Sequence, residues 1–174
     1  TELDGIRKAF VKTADGNKTF AATLTVTPAA SAPPSTGVNG MLTRAVWTGI
    51  SGGTLSALRT NSNFPNKPNT STTITTFSAP GNVGDNYGTR IYGYLRPTVT
   101  GSYTFWISGD DNAELFLSKD QNPANKVSIA KVPGWSNPGQ LTKFPEQKSV
   151  TKNLTAGQYY FIEALHKESS GGDH

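Results

Sequence analysis

A chain of 174 residues is long enough for one domain to bury about 70% of its unfolded surface without crosslinks, and the absence of cysteine excludes disulfide frameworks, thiolate zinc sites and cysteine nucleophiles. Charged residues make up 16%, below the usual ~25%, while 18 glycines and 11 prolines join abundant Thr, Ser and Asn; this fits a turn-rich all-β protein and excludes helix bundles and coiled coils. The net charge of +4 is scattered without a basic run, which excludes nucleic acid as a partner, and no apolar stretch reaches the ~18 residues of a membrane span, so no membrane insertion is expected.

Residues 1–30 read as a terminal β-hairpin. Phe20, Ala22, Leu24 and Val26 alternate with mainly threonines, the period of a half-buried strand. A second run at 6–12 precedes it, and Ala14-Asp15-Gly16-Asn17 between them supplies an Asp-Gly turn. A lone hairpin is marginal in water, so this one is expected to close an upstream Ig-like domain, the alternative being an extra ribbon packed on the main one. The Pro- and Ser-rich residues 31–40 have the composition of an extended linker. The chain reads as a mature or excised piece of a larger protein, with neighbouring domains as partners.

From residue 41 several short strands follow, punctuated by turn residues, as in an antiparallel sandwich or barrel. Residues 48–59 carry a helical spacing in Ile50, Leu55 and Leu58, but Gly52 and Gly53 allow only a short turn. Residues 87–95 place Thr89, Ile91, Gly93 and Leu95 on one face, with Arg90, Tyr92 and Tyr94 on the other. Further strands are expected at 103–107, at 113–118 with Leu115 and Leu117, and at 126–132 with Val127 and Ile129. Residues 158–166 form a near-continuous apolar strand, expected at the centre of a sheet. Trp47 and Trp106 read as core residues.

Three features could carry chemistry. Gly109-Asp110-Asp111-Asn112 sits between two strands, and its carboxylates and amide oxygen suit a hard cation such as Ca²⁺, which takes 6–8 oxygens. The same residue types are also what ordinary turns use. Glu168-Ser169-Ser170-Gly171-Gly172-Asp173-His174 offers another carboxylate and accessible carbonyls, or a flexible tail. Trp135, in the loop Pro133-Gly134-Trp135-Ser136-Asn137-Pro138-Gly139, either covers the core or offers a flat face to a sugar ring. No enzyme active site is expected: His166 and His174 are the only histidines, and neither accompanies a nucleophile motif.

Four stretches, in order, resemble the signature of PA14 domains. They are Tyr87-Gly88-Thr89-Arg90-Ile91-Tyr92-Gly93-Tyr94-Leu95-Arg96-Pro97, Thr100-Gly101-Ser102-Tyr103-Thr104-Phe105, Ser108-Gly109-Asp110-Asp111-Asn112-Ala113-Glu114-Leu115, and Leu154-Thr155-Ala156-Gly157-Gln158 continuing to Ala164-Leu165-His166-Lys167-Glu168. The resemblance covers residues 41–174 and implies a PA14-type antiparallel β-sandwich, truncated at its C-terminal end, with the N-terminal hairpin and linker outside it. In the family's lectin branch, paired aspartates joined by a cis peptide and a later loop hold Ca²⁺, and the ion takes two sugar hydroxyls. Carried over, Asp110, Asp111 and Asp173 become metal ligands. Asn112, Trp135, Gly171 and Gly172 join Asp110 and Asp111 in binding carbohydrate. The implied protein is a calcium-dependent carbohydrate-binding module of a secreted or cell-surface bacterial protein. A structural spacer or protein-interaction module, and an accessory module of a polysaccharide-degrading enzyme, are the alternatives.

Overall fold

The computed structural model describes residues 40–174 together with residues 11–12, 19–20 and 24–25. Three short strands come first, β1 (Val11–Lys12), β2 (Thr19–Phe20) and β3 (Leu24–Thr25). β1 pairs with β2 and β3 pairs with the end of the later strand Tyr87–Leu95. The upstream-domain hairpin at 1–30 and the linker at 31–40 otherwise lie outside the described residues.

The remaining elements are β4 (Leu42–Thr48), helix α1 (Leu55–Thr60), β5 (Thr70–Ile74), β6 (Tyr87–Leu95), β7 (Gly101–Tyr103), β8 (Asn112–Ser118), β9 (Lys126–Val132), β10 (Lys152–Leu154) and β11 (Tyr160–Glu168). Their ladders are all antiparallel. One large sheet runs β5-β4-β6-β11-β8-β9, and β7 pairs with β10 in a second, smaller sheet. The two pack face to face as a β-sandwich. Tyr103, Phe105 and Leu154 from the smaller layer meet Leu95, Leu115, Leu117, Ala130, Tyr160 and Ile162 from the larger.

β11 is buried on both faces, which is why it reads as a near-continuous apolar run. Ile162 belongs to the core between the sheets, whereas Leu165 points the other way, against Trp47, Ile50, Leu55 and Leu58. That second cluster lies under α1. Gly88 on β6 lets the helix approach, since a Cβ there would stand 2.5 Å from Leu58 Cδ1. The buried Trp47 indole donates to the Asn63 carbonyl at 3.1 Å, so its N–H is not stranded.

β6 and β9 match the expected strands, and on β6 the predicted alternation holds, with Thr89, Ile91 and Leu95 buried. Three expectations need correction. The strand expected at 103–107 stops at Tyr103, and Phe105 instead exchanges bonds with Ser149, donating to its hydroxyl and accepting its N–H at 2.8 Å. Trp106, on the opposite face, is half-buried under Lys148 rather than core. On β9 the buried apolar residues are Ala130 and Val132, while Val127 is exposed. A bulge shifts the pairing between Leu115 and Phe116, so Ile129 has no partner across the ladder.

Replacing Leu58, fully buried under α1, with alanine removes the helix's main anchor. We expect L58A to lower unfolding stability by about 2–5 kcal/mol in urea denaturation, with the β-sheet circular dichroism retained.

Candidate functional site

The acidic turn occupies residues 108–111, just before β8, and three contacts fix it. Ser136 donates its N–H to the Gly109 carbonyl at 2.9 Å and its hydroxyl oxygen accepts the Gly109 N–H at 3.2 Å. His166, on the inner face of β11, meets the Asp110 carbonyl through Nε2. Nε2 donates there, and burial holds the ring's pKa below the usual histidine value, partly offset by that bond. Tyr87 packs edge-on to the ring at 5.7 Å. The Asp110–Asp111 peptide is cis, as the family resemblance implies.

Asp111 turns toward the start of the C-terminal segment, where its Oδ2 accepts the Ser169 N–H at 3.0 Å. Gly53 crosses directly over this carboxylate: a Cβ there would stand 2.5 Å from Oδ2, so any side chain at 53 would push the Asp111 carboxylate aside. Both aspartates are partly exposed.

Residues 169–173 lie against the loop that precedes β6. Asp173 is buried, and its carboxylate accepts the N–H groups of Val83 at 2.8 Å and Gly84 at 3.0 Å. Its carbonyl accepts from Asn82 at 3.1 Å, and Asn86 donates to the Ser169 carbonyl at 2.8 Å. Asp173 therefore pins one loop to another, and its charge still reaches Asp110. The Gly171 N–H donates to Asp85 at 3.2 Å and Gly172 lies against Asn82. These contacts of the two glycines run to the neighbouring loop rather than to the aspartate pair.

Trp135 is 50% exposed, so it does not cover the core. The next residue, Ser136, is fully buried against Gly109, and the Asn112 amide donates to the Gly134 carbonyl at 3.4 Å. The Trp135 loop and the acidic turn are thus stitched together. Buried Gln147 supports both, donating to the carbonyls of Ile107 at 2.9 Å and Gln140 at 2.6 Å. Lys143 sits over the indole, 3.0 Å from its centroid, a cation–π contact, and its charge also pulls the Asp110 pKa down. Neither Lys143 nor Gln147 had any signal in the sequence, because each acts only through tertiary proximity.

The charges do not balance. Burial first, and then the Asp111 charge, push the Asp110 carboxyl above its ordinary value. Glu168, fully buried on the same face of β11 as His166, is pushed up to about 7 by burial and by Asp111, Asp110 and Asp173 in turn. Its oxygens have no hydrogen-bond partner of good geometry, only a marginal contact with the Asp111 N–H. Burial likewise pulls the adjacent Lys167 ammonium down, against the charges of Glu168 and Asp111. Among the described residues no three side chains of His, Asp or Glu are gathered closely enough to hold an ion by themselves. Main-chain carbonyls or water would have to complete a calcium sphere. As a donor set, though, hard carboxylate oxygens with an orphaned, buried member suit a hard cation.

A cavity lies elsewhere, on the opposite face of the large sheet. It is about 470 Å³ and is lined by Arg59, Arg90, Lys126, Glu114, Glu163 and Phe116 among others. Its charges pair internally, Arg59 with Glu114 and both Arg90 and Lys126 with Glu163.

Comparison with known proteins places these features in context. The family model described as PA14 domain matches residues 40–173. An N-acetyl-beta-glucosaminyl-glycoprotein 4-beta-N-acetylgalactosaminyltransferase 1 of Mus musculus is 39% identical over 128 residues, 71% of this chain but 12% of that protein. Fibrocystin of Canis lupus familiaris is 28% identical over 90 residues, 48% of this chain and 2% of that protein. The chain thus spans a small part of these relatives. Among solved structures, an Epithelial Adhesin 9 A domain from Candida glabrata, in complex with Galb1-4GlcNAc, has a TM-score of 0.51 at 15% identity, covering 87% of this chain and 84% of that one. A beta-glucosidase from Kluyveromyces marxianus, in complex with glucose, also gives a TM-score of 0.51 at 15% identity, over 87% of this chain and 17% of that one. These likenesses establish the fold. None of the four proteins is bacterial, so the bacterial parent expected from sequence has no support among them.

The raised Glu168 pKa has a measurable consequence. The unfolded carboxyl ionises near 4.5 and the folded one only near 7, so its contribution to stability is full below about 4.5 and is lost as pH rises through about 7. His166, shifted down, acts in the opposite sense, so the wild-type slope alone is a mixture. We expect the stability difference between wild type and E168Q in chelator, measured by urea denaturation, to move in favour of E168Q as pH rises across that window.

Proposed function

The chain belongs to the PA14 domain family, and from that membership we propose that it is a carbohydrate-binding module in which a Ca²⁺ ion held at Asp110 and Asp111 meets sugar hydroxyls. The observation that carries this reading is the joining of the acidic turn to an exposed aromatic. Asp110 and Asp111 stand partly open to solvent, and the loop stitched to them presents Trp135. Bound there, Ca²⁺ supplies open coordination positions that two neighbouring hydroxyls can fill in place of water.

The chain's own residues do the rest. His166 and Ser136 hold the acidic turn from behind, and both of its aspartates stay partly exposed. Asp173 locks the later loop beside them through Val83 and Gly84. Asn112 gives its amide to Gly134, so it sets the distance between turn and tryptophan and keeps an oxygen for a hydroxyl. Lys143 occupies one face of the indole, leaving the other for the apolar face of a pyranose. Each such site binds weakly, because hydrated hydroxyls replace water on a hydrated ion, and adhesion would need several copies.

The sugar complexes of the fold's adhesin and glucosidase neighbours support this reading, as does identity to a segment of a transferase named for a glycoprotein substrate. That identity, over 12% of the relative, favours a glycoprotein glycan as the ligand and a module without chemistry of its own, and the adhesin neighbour favours a larger extracellular or cell-surface protein as its carrier.

Isothermal titration with galactose- and N-acetylglucosamine-containing disaccharides is expected to show binding in Ca²⁺ and none in chelator. The double variant D110N/D111N should lose both calcium and sugar while keeping its circular dichroism spectrum. Sugar binding that survives chelator, or the double variant, would defeat the calcium-bridged mechanism. W135A should weaken sugar binding roughly tenfold, the worth of one aromatic platform, with calcium affinity unchanged.

A further inference from the structure

Two glutamates on β11 are buried to the same degree and treated in opposite ways. Glu163, 2% exposed, takes Arg90 at 2.5 Å on one oxygen and Lys126 at 2.8 Å on the other. Glu168, 0% exposed, has no cation and no well-formed hydrogen bond on either oxygen. The obvious partner is adjacent and does not serve: Lys167 gives its ammonium to the Glu168 backbone carbonyl at 2.5 Å, not to the carboxylate. A buried carboxyl left unpartnered is costly, and native structures keep few such groups without reason.

Its surroundings supply the reason. Along β11 the side chains alternate, so Glu168 shares a face with His166, whose ring meets the Asp110 carbonyl. Ser169, the next residue, donates its N–H to Asp111 Oδ2 at 3.0 Å, so the backbone at the end of β11 abuts the acidic turn. The charges that push the Glu168 carboxyl up are the aspartates of the site, Asp111, Asp110 and Asp173, while the neighbouring Lys167 ammonium is bonded to a backbone carbonyl. A cluster of like charges with an interior member lacking a cation is an arrangement that a divalent cation resolves and that no internal ion pair does here.

We propose that Glu168 is a further ligand of the cation site at Asp110 and Asp111, its interior carboxylate, drawn onto the ion with the pair, since the three do not converge without it. The inference rests on the calcium reading above and goes beyond it by adding a residue that the acidic turn and the later loop do not contain. Glu168 sets the charge of the site from the protein side, and the half-exposed aspartates meet solvent and sugar.

The test uses Ca²⁺ titration calorimetry and Tb³⁺ luminescence on wild type, E168Q and D110N/D111N, with thermal unfolding in chelator. E168Q is expected to lose roughly 10–100-fold in Ca²⁺ affinity. In chelator it should melt at or above the wild-type temperature, because the unpartnered carboxyl is gone. A purely structural Glu168 predicts the reverse pattern: unchanged calcium affinity and a lower melting temperature in chelator, and that result overturns the proposal. Should E168Q fail to fold, the wild type decides alone: the Glu168 side-chain carboxyl ¹³C resonance should shift on Ca²⁺ addition in alkaline buffer, and an unmoved resonance refutes the assignment. If D110N/D111N abolishes calcium binding while E168Q leaves it intact, this inference fails and the earlier reading stands. If wild type binds no calcium, both fail.

Discussion

β11 bonds to β6 along one edge and to β8 along the other, and this double ladder fixes the position of the groups at the candidate site. Its register aligns His166 with Thr89 on one side and with Ala113 on the other. Ala113 follows the acidic turn by one residue, so the ladder delivers the imidazole to the Asp110 carbonyl. A slip of one residue would send His166 and Glu168 to the face under α1 and bring Lys167 to the turn. Burial on both faces makes such a slip prohibitive, since Ile162 and Leu165 would exchange cores.

How much of this could be read from the sequence followed from how local each feature is. β6 and β9 were legible because alternation and turn residues are properties of neighbouring positions, and β8 differed from its expected span by one residue. α1 showed as a helical spacing, but its glycines precede it instead of interrupting it, so a six-residue helix formed where only a short turn was expected. The strand at 103–107 misled because its apolar residues alternate correctly. What ends it is the side chain of Ser149, 44 residues away, bonding to Phe105. β4 and β5 went undelimited, their Thr-rich pattern resembling the loops around them.

The acidic turn and Trp135 stood out by composition and by resemblance, and the fold joins them through Gly109, Ser136, Asn112 and Gly134. Glu168 was visible as the end of a resembling stretch and the first residue of a polar tail, with no sign of its burial. A glutamate ending an apolar strand looks the same whether it reaches solvent or points inward. What distinguishes the two cases is whether the strand's last turn is covered, and here residues 82–86 and the acidic turn cover it. The sequence likewise could not show that Asp173 spends two acceptor positions on Val83 and Gly84. That anchoring does not remove it from a cation's reach, because a carboxylate has about four lone-pair directions.

The two faces of the large sheet settle buried charge by different means, and the contrast argues for where function lies. On the α1 face, five charged side chains line a cavity and close on one another, so an anion entering it would have to displace Glu114 or Glu163 from its partners. Such a network holds β6, β8, β9 and α1 together and offers little to a ligand. On the other face carboxylates accumulate at one end, and the cations near them are committed elsewhere: Lys167 to a backbone carbonyl, Lys143 to the Trp135 ring. A fold that pairs Glu163 twice has the means to pair Glu168 and leaves it bare. Electrostatic imbalance confined to one loop cluster, beside the sandwich's exposed tryptophan, is the expected mark of a site completed from outside the chain.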